Sequence, residues 1–328
     1  MLRTQTPKLS QIQRPIRDLL DPVVAELRRI VLADFPAVNE VNDHLLWSRG
    51  KLFRPTLLLL SNRVGGRANP RAVTLAAIVE LVHLATLVHD DAVDHSVLRR
   101  GMPTVNALWN HQTAVIMGDY LYSRSITELA RFSRVDFIDV LSRAANEMSI
   151  GELRQLASHD ALRFNEADYT RLISSKTASL MSAACELGAA AGDENQQSSL
   201  GRYGHAIGMA FQIADDLLDY TEATAVMGKP SGQDLREHKV TLPLIHAFAA
   251  MDGSARREVE HFFVDPIASD DGIARVIELV QEHGGIDYAY RKAGEYGEQA
   301  AEALVGLPDS DATEALREAV QYVVHRRR

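Results

Sequence analysis

Two short segments carry aspartates at the same spacing. In HDDAVDH, Asp90, Asp91 and Asp94 stand at i, i+1 and i+4, and in IADDLLDY, Asp215, Asp216 and Asp219 repeat that pattern. On a helix, residues four apart project from one face, so each segment presents its carboxylates together. Gathered on an apolar helix, three aspartates repel one another and lose solvation, so cations must neutralise them. Magnesium suits such a set: it is hard, prefers oxygen, keeps several waters, and is commonly held by one or two carboxylates plus substrate phosphate oxygens. One cluster alone would read as an acidic turn or a helix cap. Two clusters, each at the end of an apolar helix, point to facing acidic walls that clamp a diphosphate through several metal ions.

Basic residues stand where such a ligand would want them. Arg99 and Arg100 follow the first cluster within two turns, Lys51 and Arg54 open another apolar helix in RGKLFRPTLLLL, and Lys176 with Thr177, and Lys229 and Lys239 around the second cluster, supply further positive charge. Arginine suits forked contacts to phosphate. Any one of these is by itself an ordinary solvated charge; their company, in a chain of net charge -9, is the signal. His83 reads as a core histidine when taken alone, yet it shares a face with Asp90 and could donate to a second diphosphate.

The elements that must position these groups are helices. Apolar residues recur every three or four positions through most of the 328 residues, and no alternating run long enough for a sheet intervenes. The expected fold is all-α, a single-domain bundle around a deep central cavity spanning 1–328, with 1–8 expected to be disordered. Breaks are expected at 64–70, 99–103, 192–195, 227–237 and 306–308, and Arg326 to Arg328 read as a solvated helix end. Residues 72–95 are apolar nearly all round, which marks a helix inside a bundle, and their polar exceptions Glu80, His83, Asp90 and Asp94 lie on one face. A second such helix is expected from about 200 to 220, where Gln212 joins Asp215, Asp216 and Asp219 on one side.

Composition bounds the rest. Hydrophobic residues at 46% and charged residues at 24% describe a globular chain. The negative balance argues against a nucleic-acid surface. A single cysteine, Cys185, offers neither an intrachain disulfide nor a zinc site. The apolar window 73–88 carries Glu80 and His83 and is short for a transmembrane span, and the N-terminal segment, broken by Pro7 and Pro15, lacks the apolar stretch of a secretory signal. A cytoplasmic protein with no transmembrane segment is expected.

The sequence resembles the trans-isoprenyl diphosphate synthases, or polyprenyl synthetases. Seven segments occur in that family's order: the two aspartate motifs, LRRGMPT, MGDYL, GELRQL, SKTASL and GKPSGQDLREHKVTLPL. The resemblance implies a magnesium-dependent prenyltransferase that joins an allylic diphosphate, such as farnesyl diphosphate, to isopentenyl diphosphate. It also implies a homodimer and three magnesium ions with diphosphate bound. By resemblance Asp90, Asp94 and Asp215 bind magnesium directly, with Asp91, Asp216 and Asp219 completing the clusters. Arg99, Lys176, Lys229 and Lys239 hold the allylic diphosphate. Lys51, Arg54, His83 and Arg100 hold isopentenyl diphosphate, Thr177 and Gln212 lie beside the developing cation, and Glu152 and Gln155 give support.

Chain length is read from the helix that carries the first cluster. Bulky residues one turn and more before that cluster accompany short products in the family; here Ala85 and Thr86 stand there, which points to a long all-trans polyprenyl diphosphate. A deeper floor near Met117 and 120–122 could still stop growth, although these side chains read first as ordinary core; a farnesyl- or geranylgeranyl-length product is the alternative. The sequence departs from the family at Arg49 and Leu52, where Gly and Arg are common, and at Asn110 and His238, where Gly is common. The rival readings are a class I terpene cyclase, whose second metal motif differs, and a non-catalytic partner subunit, which would have lost aspartates. Transient membrane association for release of an apolar product is a further expectation.

Overall fold

The computed structural model describes residues 6–47, 50–66, 68–157, 161–221, 232–265 and 267–325. The expected all-α architecture is what forms. In chain order the helices are α1 (Leu9–Ile12), α2 (Arg17–Val31), α3 (Pro36–Trp47), α4 (Phe53–Arg63), α5 (Ala72–Val93), α6 (Val105–Leu108), α7 (His111–Ala130), α8 (Val135–Ala157), α9 (Glu166–Ile173), α10 (Ser179–Ala191) and α11 (Gln197–Thr221). They continue as α12 (Gln233–Arg236), α13 (Leu242–Ala250), α14 (Gly253–Val264), α15 (Asp270–Glu282), α16 (Gly285–Ala303) and α17 (Asp311–Val324).

The largest core joins α2, α4, α5, α7, α8, α10, α11 and α17. Leu57, Leu58, Leu59 and Leu60 are all buried in α4, which explains a helix with no polar stripe: neighbours cover every face. Each such leucine contributes about 2 kcal/mol by leaving water. Helix α5 has the length and hydropathy to cross a bilayer, but here α2, α4, α7 and α10 pack around it. A second cluster gathers α12 to α15 around Phe248, Val259 and Val276, and a third ties α9, α11 and α16 together through Tyr169, Ile213 and Ala289. Two glycines permit close helix approach. A Cβ on Gly188 would meet the Leu58 carbonyl oxygen at 2.2 Å, and one on Gly208 would meet the Ala178 Cα at 2.6 Å.

One local feature was not foreseen. The break at 99–103 contains a two-stranded antiparallel hairpin, β1 (Leu98–Arg99) with β2 (Met102–Pro103), in register Leu98 to Pro103 and Arg99 to Met102. Arg100 at φ 51° and Gly101 at φ 78° make the tight turn whose twist suits a hairpin. This hairpin fixes the direction of both arginines. Expectations for residues 1–5, Arg49, Lys229 and 326–328 lie outside the described residues.

Candidate active site

The first aspartate cluster sits at the C-terminal end of α5, where the helix dipole is negative and further carboxylates are least welcome. Each aspartate there faces a cation. Arg99 donates from Nε to both Asp91 oxygens at 2.8 Å, and its Nη2 lies 2.8 Å from Oδ1. Lys176 Nζ lies 3.4 Å from Asp90 Oδ2 and 2.6 Å from Glu152 Oε1. Lys239 Nζ lies 3.8 Å from Asp94 Oδ2 and 2.7 Å from Glu237 Oε2. Burial pushes the Asp90 and Glu152 carboxyls above the usual range, while Lys176 pulls both back. These three cations, ones expected to hold a diphosphate, pair with the protein's own carboxylates.

Helix α11 carries the second cluster, and its three aspartates have different surroundings. Asp215 is exposed. Asp216 is buried, accepting from Tyr169 Oη at 2.6 Å and from Gln212 Nε2 at 2.8 Å. Burial and the nearby Asp234 charge push its carboxyl well up, and the two donors oppose that shift. Asp219 accepts the backbone N–H of Gln233 at 2.9 Å through Oδ1 and that of Asp234 at 2.8 Å through Oδ2, so it caps the first turn of α12. The structure gives protein partners to aspartates expected to serve a metal. Asp91 is engaged by Arg99, Asp216 by Tyr169 and Gln212, and Asp219 by the following loop.

Two bridges link the helices that carry the clusters. Lys176 and Thr177 lie on a π-helical turn, Ser174–Ala178, a geometry that often marks a functional site. Lys176 reaches Asp90 on α5, while Thr177 Oγ1 donates to Gln212 Oε1 at 2.7 Å on α11. Gly208 against Ala178 lets α11 approach that turn so closely. The second bridge is the loop after α12. Its Lys239 N–H donates to the Asp234 carbonyl at 2.8 Å, and its Nζ faces Asp94. His238 in this loop has φ 53°, the backbone region that favours glycine, and its ring packs against Phe262 and Phe263.

A second basic group gathers around Arg54. Arg54 is half-buried, and its buried Nε has no hydrogen-bond partner among the described residues; desolvation lowers its pKa to about 10. A Cβ on Gly50 would be 3.4 Å from Arg100 Nη1 and 3.5 Å from Glu80 Oε1, so both side chains converge there. Burial pushes the Glu80 carboxyl up, opposed by Arg54 and Arg100. Burial and the charges of Arg54, Arg100 and Arg99 push His83 well down, leaving a neutral imidazole among guanidiniums. A buried arginine N–H without a partner is costly unless an anion completes it. Lys51, at the entrance to α4, is exposed. Ala85 is buried in the α5 core, and Thr86 turns its hydroxyl onto the His83 carbonyl at 2.7 Å. Gln155 Oε1 is buried without a hydrogen-bond partner among the described residues.

Tyr169, Asp234 and Glu237 were not singled out from the sequence. Tyr169 reads as an apolar-face residue of α9, and the pattern near Asp234 and Glu237 has no helical period to assign them a face.

The chain is similar to known proteins along most of its length. The family model for polyprenyl synthetase matches residues 35–280. An all-trans-nonaprenyl-diphosphate synthase (geranyl-diphosphate specific) of Rhodobacter capsulatus is 38% identical over 92% of this chain and 94% of its own. Component 2 of a heptaprenyl diphosphate synthase from Geobacillus stearothermophilus is 36% identical over 96% of this chain and 98% of its own. The crystal structure of a polyprenyl synthase from Caulobacter crescentus CB15, complexed with calcium and isoprenyl diphosphate, superposes with a TM-score of 0.92 at 33% identity, covering 99% of each chain.

Proposed function

Because the chain belongs to the polyprenyl synthetase family, we propose that the space between α5 and α11 binds an allylic diphosphate and the basic group around Arg54 binds isopentenyl diphosphate. The chain is a trans-polyprenyl diphosphate synthase, a prenyltransferase of the long-chain kind. The observation that supports the proposed site most directly is the double bridge: Lys176 on Asp90 beside Thr177 on Gln212, and Lys239 on Asp94.

The donor set fits divalent metal. Asp90, Asp94 and Asp215 offer hard carboxylate oxygen. That suits an ion that completes its shell with water and phosphate oxygens. We assign magnesium to Asp90, Asp94 and Asp215, three ions in all with diphosphate bound. When bound, the ions neutralise charge on the departing diphosphate.

The protein's own residues do the remainder. Arriving diphosphate draws Lys176 and Lys239 from Glu152 and Glu237 toward phosphate oxygens, where their charge favours ionisation of the carbon–oxygen bond. Arg99 keeps Asp91 neutralised and offers its remaining N–H groups to the same ligand. Thr177 and Gln212 set oxygen dipoles beside the allylic cation. Arg54, Arg100, Lys51 and neutral His83 hold the five-carbon donor so that its double bond attacks that cation. The released diphosphate is the base for the proton lost. No protein nucleophile is needed, and the apolar walls keep water from the cation.

The small, buried Ala85 supports repeated addition, because no bulky side chain there stops the growing tail. The working unit we propose is a homodimer whose interface covers exposed apolar residues such as Leu108 and Ile116, 49% and 65% exposed in the single chain. The test supplies magnesium, farnesyl diphosphate and labelled isopentenyl diphosphate and weighs the products by mass. A ladder ending in one dominant species beyond twenty carbons is expected, and chelator should abolish it. Products of fifteen or twenty carbons alone would assign a short-chain synthase. Elongation unchanged in excess chelator would remove the metal from the reading.

A further inference from the structure

Thr177 and Gln212 are placed by two residues behind them. Gln212 has one acceptor end and one donor end, and either could face the π-helical turn. Its partners decide. Nε2 donates to Asp216 Oδ1 at 2.8 Å, which leaves Oε1 to accept from Thr177 Oγ1 at 2.7 Å. Asp216 is in turn held by Tyr169, whose hydroxyl donates to Oδ2 at 2.6 Å. The chain Tyr169, Asp216, Gln212, Thr177 runs from α9 across α11 to the turn that carries Lys176. Tyr169 is 2% exposed and Asp216 and Thr177 are 7% and 6%, so solvent cannot readily replace a lost partner.

We propose that Tyr169 is a positioning residue for the prenyl-transfer step, acting through Asp216 to hold the Gln212 amide with its oxygen toward Thr177 and the allylic carbons. This rests on the function proposed above. The physical gain is preorganisation. A carbonyl dipole already aimed at a developing cation stabilises it without reorganisation, whereas a flipped amide would present N–H groups to positive charge. Removing the Tyr169 hydroxyl leaves Asp216 Oδ2 without its donor and frees that carboxylate to rotate. Gln212 then loses its fixed acceptor. Tyr169 itself need not touch substrate.

The test is a double-mutant cycle in the full chain with magnesium, farnesyl diphosphate and isopentenyl diphosphate. Tyr169→Phe is expected to lower kcat about tenfold or more while KM for either diphosphate stays within about threefold, because the interaction matters chiefly as charge develops. Gln212→Leu is expected to lower kcat further. The double variant should be no slower than Gln212→Leu alone, within about threefold, since both act through one chain. Two losses that multiply would overturn the proposal, as would a Tyr169→Phe defect confined to KM. If Tyr169→Phe melts too low to assay, Asp216→Asn paired with Gln212→Leu probes the same chain, with the same non-multiplying result expected and a multiplying result overturning it. Wild-type protein is assayed first. If it does not elongate, the functional reading fails; if it elongates and the losses multiply, only this inference fails.

Discussion

Removing the Asp219 side chain separates its two possible roles. As a cap, Asp219 accepts the Gln233 and Asp234 N–H groups at 2.9 and 2.8 Å, and its own carbonyl accepts the Gly232 N–H at 3.0 Å. Asp219→Ala deletes the first two bonds and keeps the third. A hydrogen bond to a charged group contributes about 1.5 to 3 kcal/mol, and loss of a helix cap costs about 0.5 to 2 kcal/mol. Part of this is offset, because burial already pushes the Asp219 carboxyl up and its ionised form is costly there. A net loss of about 2 kcal/mol is the result, which for a chain this long lowers the melting temperature by roughly 2 to 4 °C. The measurement is thermal melting in chelator, which removes metal from the comparison. Activity should fall as well, with a raised KM for the allylic diphosphate, because the loosened loop carries Lys239. Asp219→Asn, which keeps one acceptor, should lose about half as much stability. An unchanged melting curve in chelator, with a higher magnesium concentration needed for half-maximal rate, would refute the capping assignment and return Asp219 to the metal.

Three further outcomes are expected. Asp90→Ala and Asp215→Ala should each lower kcat/KM by at least about 100-fold, several kcal/mol of transition-state stabilisation, and near-normal turnover in both would remove the proposed metal walls. Ala85→Phe should shorten the product, at a stability cost of about 1 to 3 kcal/mol for overpacking a buried site; unchanged product mass in an active variant would place the floor elsewhere. Burial and the Asp219 charge push Asp234 up to about 7, so between about pH 4 and pH 7 the folded state binds more protons than the unfolded chain. Its contribution to stability is present at low pH and declines as pH rises through that window. In chelator, Asp234→Asn should therefore gain melting temperature relative to wild type from pH 5 to pH 8, and parallel curves would contradict the shift.

The sequence by itself determined that α5 and α11 are buried helices with carboxylates on one face, since spacing along a helix sets which side chains share a side. It also singled out Arg99, Lys176 and Lys239, which the structure places beside the first cluster. The apolar run of α4 fixed a core helix without tertiary information. Only the packed structure decided what each aspartate touches. Asp90, Asp216 and Asp219 look alike in the sequence, yet one meets Lys176, one meets Tyr169 across 47 residues, and one caps the loop that follows it. The hairpin that aims Arg99 and Arg100, and the π-helical turn that lets Lys176 and Thr177 serve opposite walls, were equally hidden. The physical reason is that local periodicity fixes a residue's side of a helix, whereas a carboxylate's energy depends on the donors within about 3 Å, and those arrive from other helices by packing.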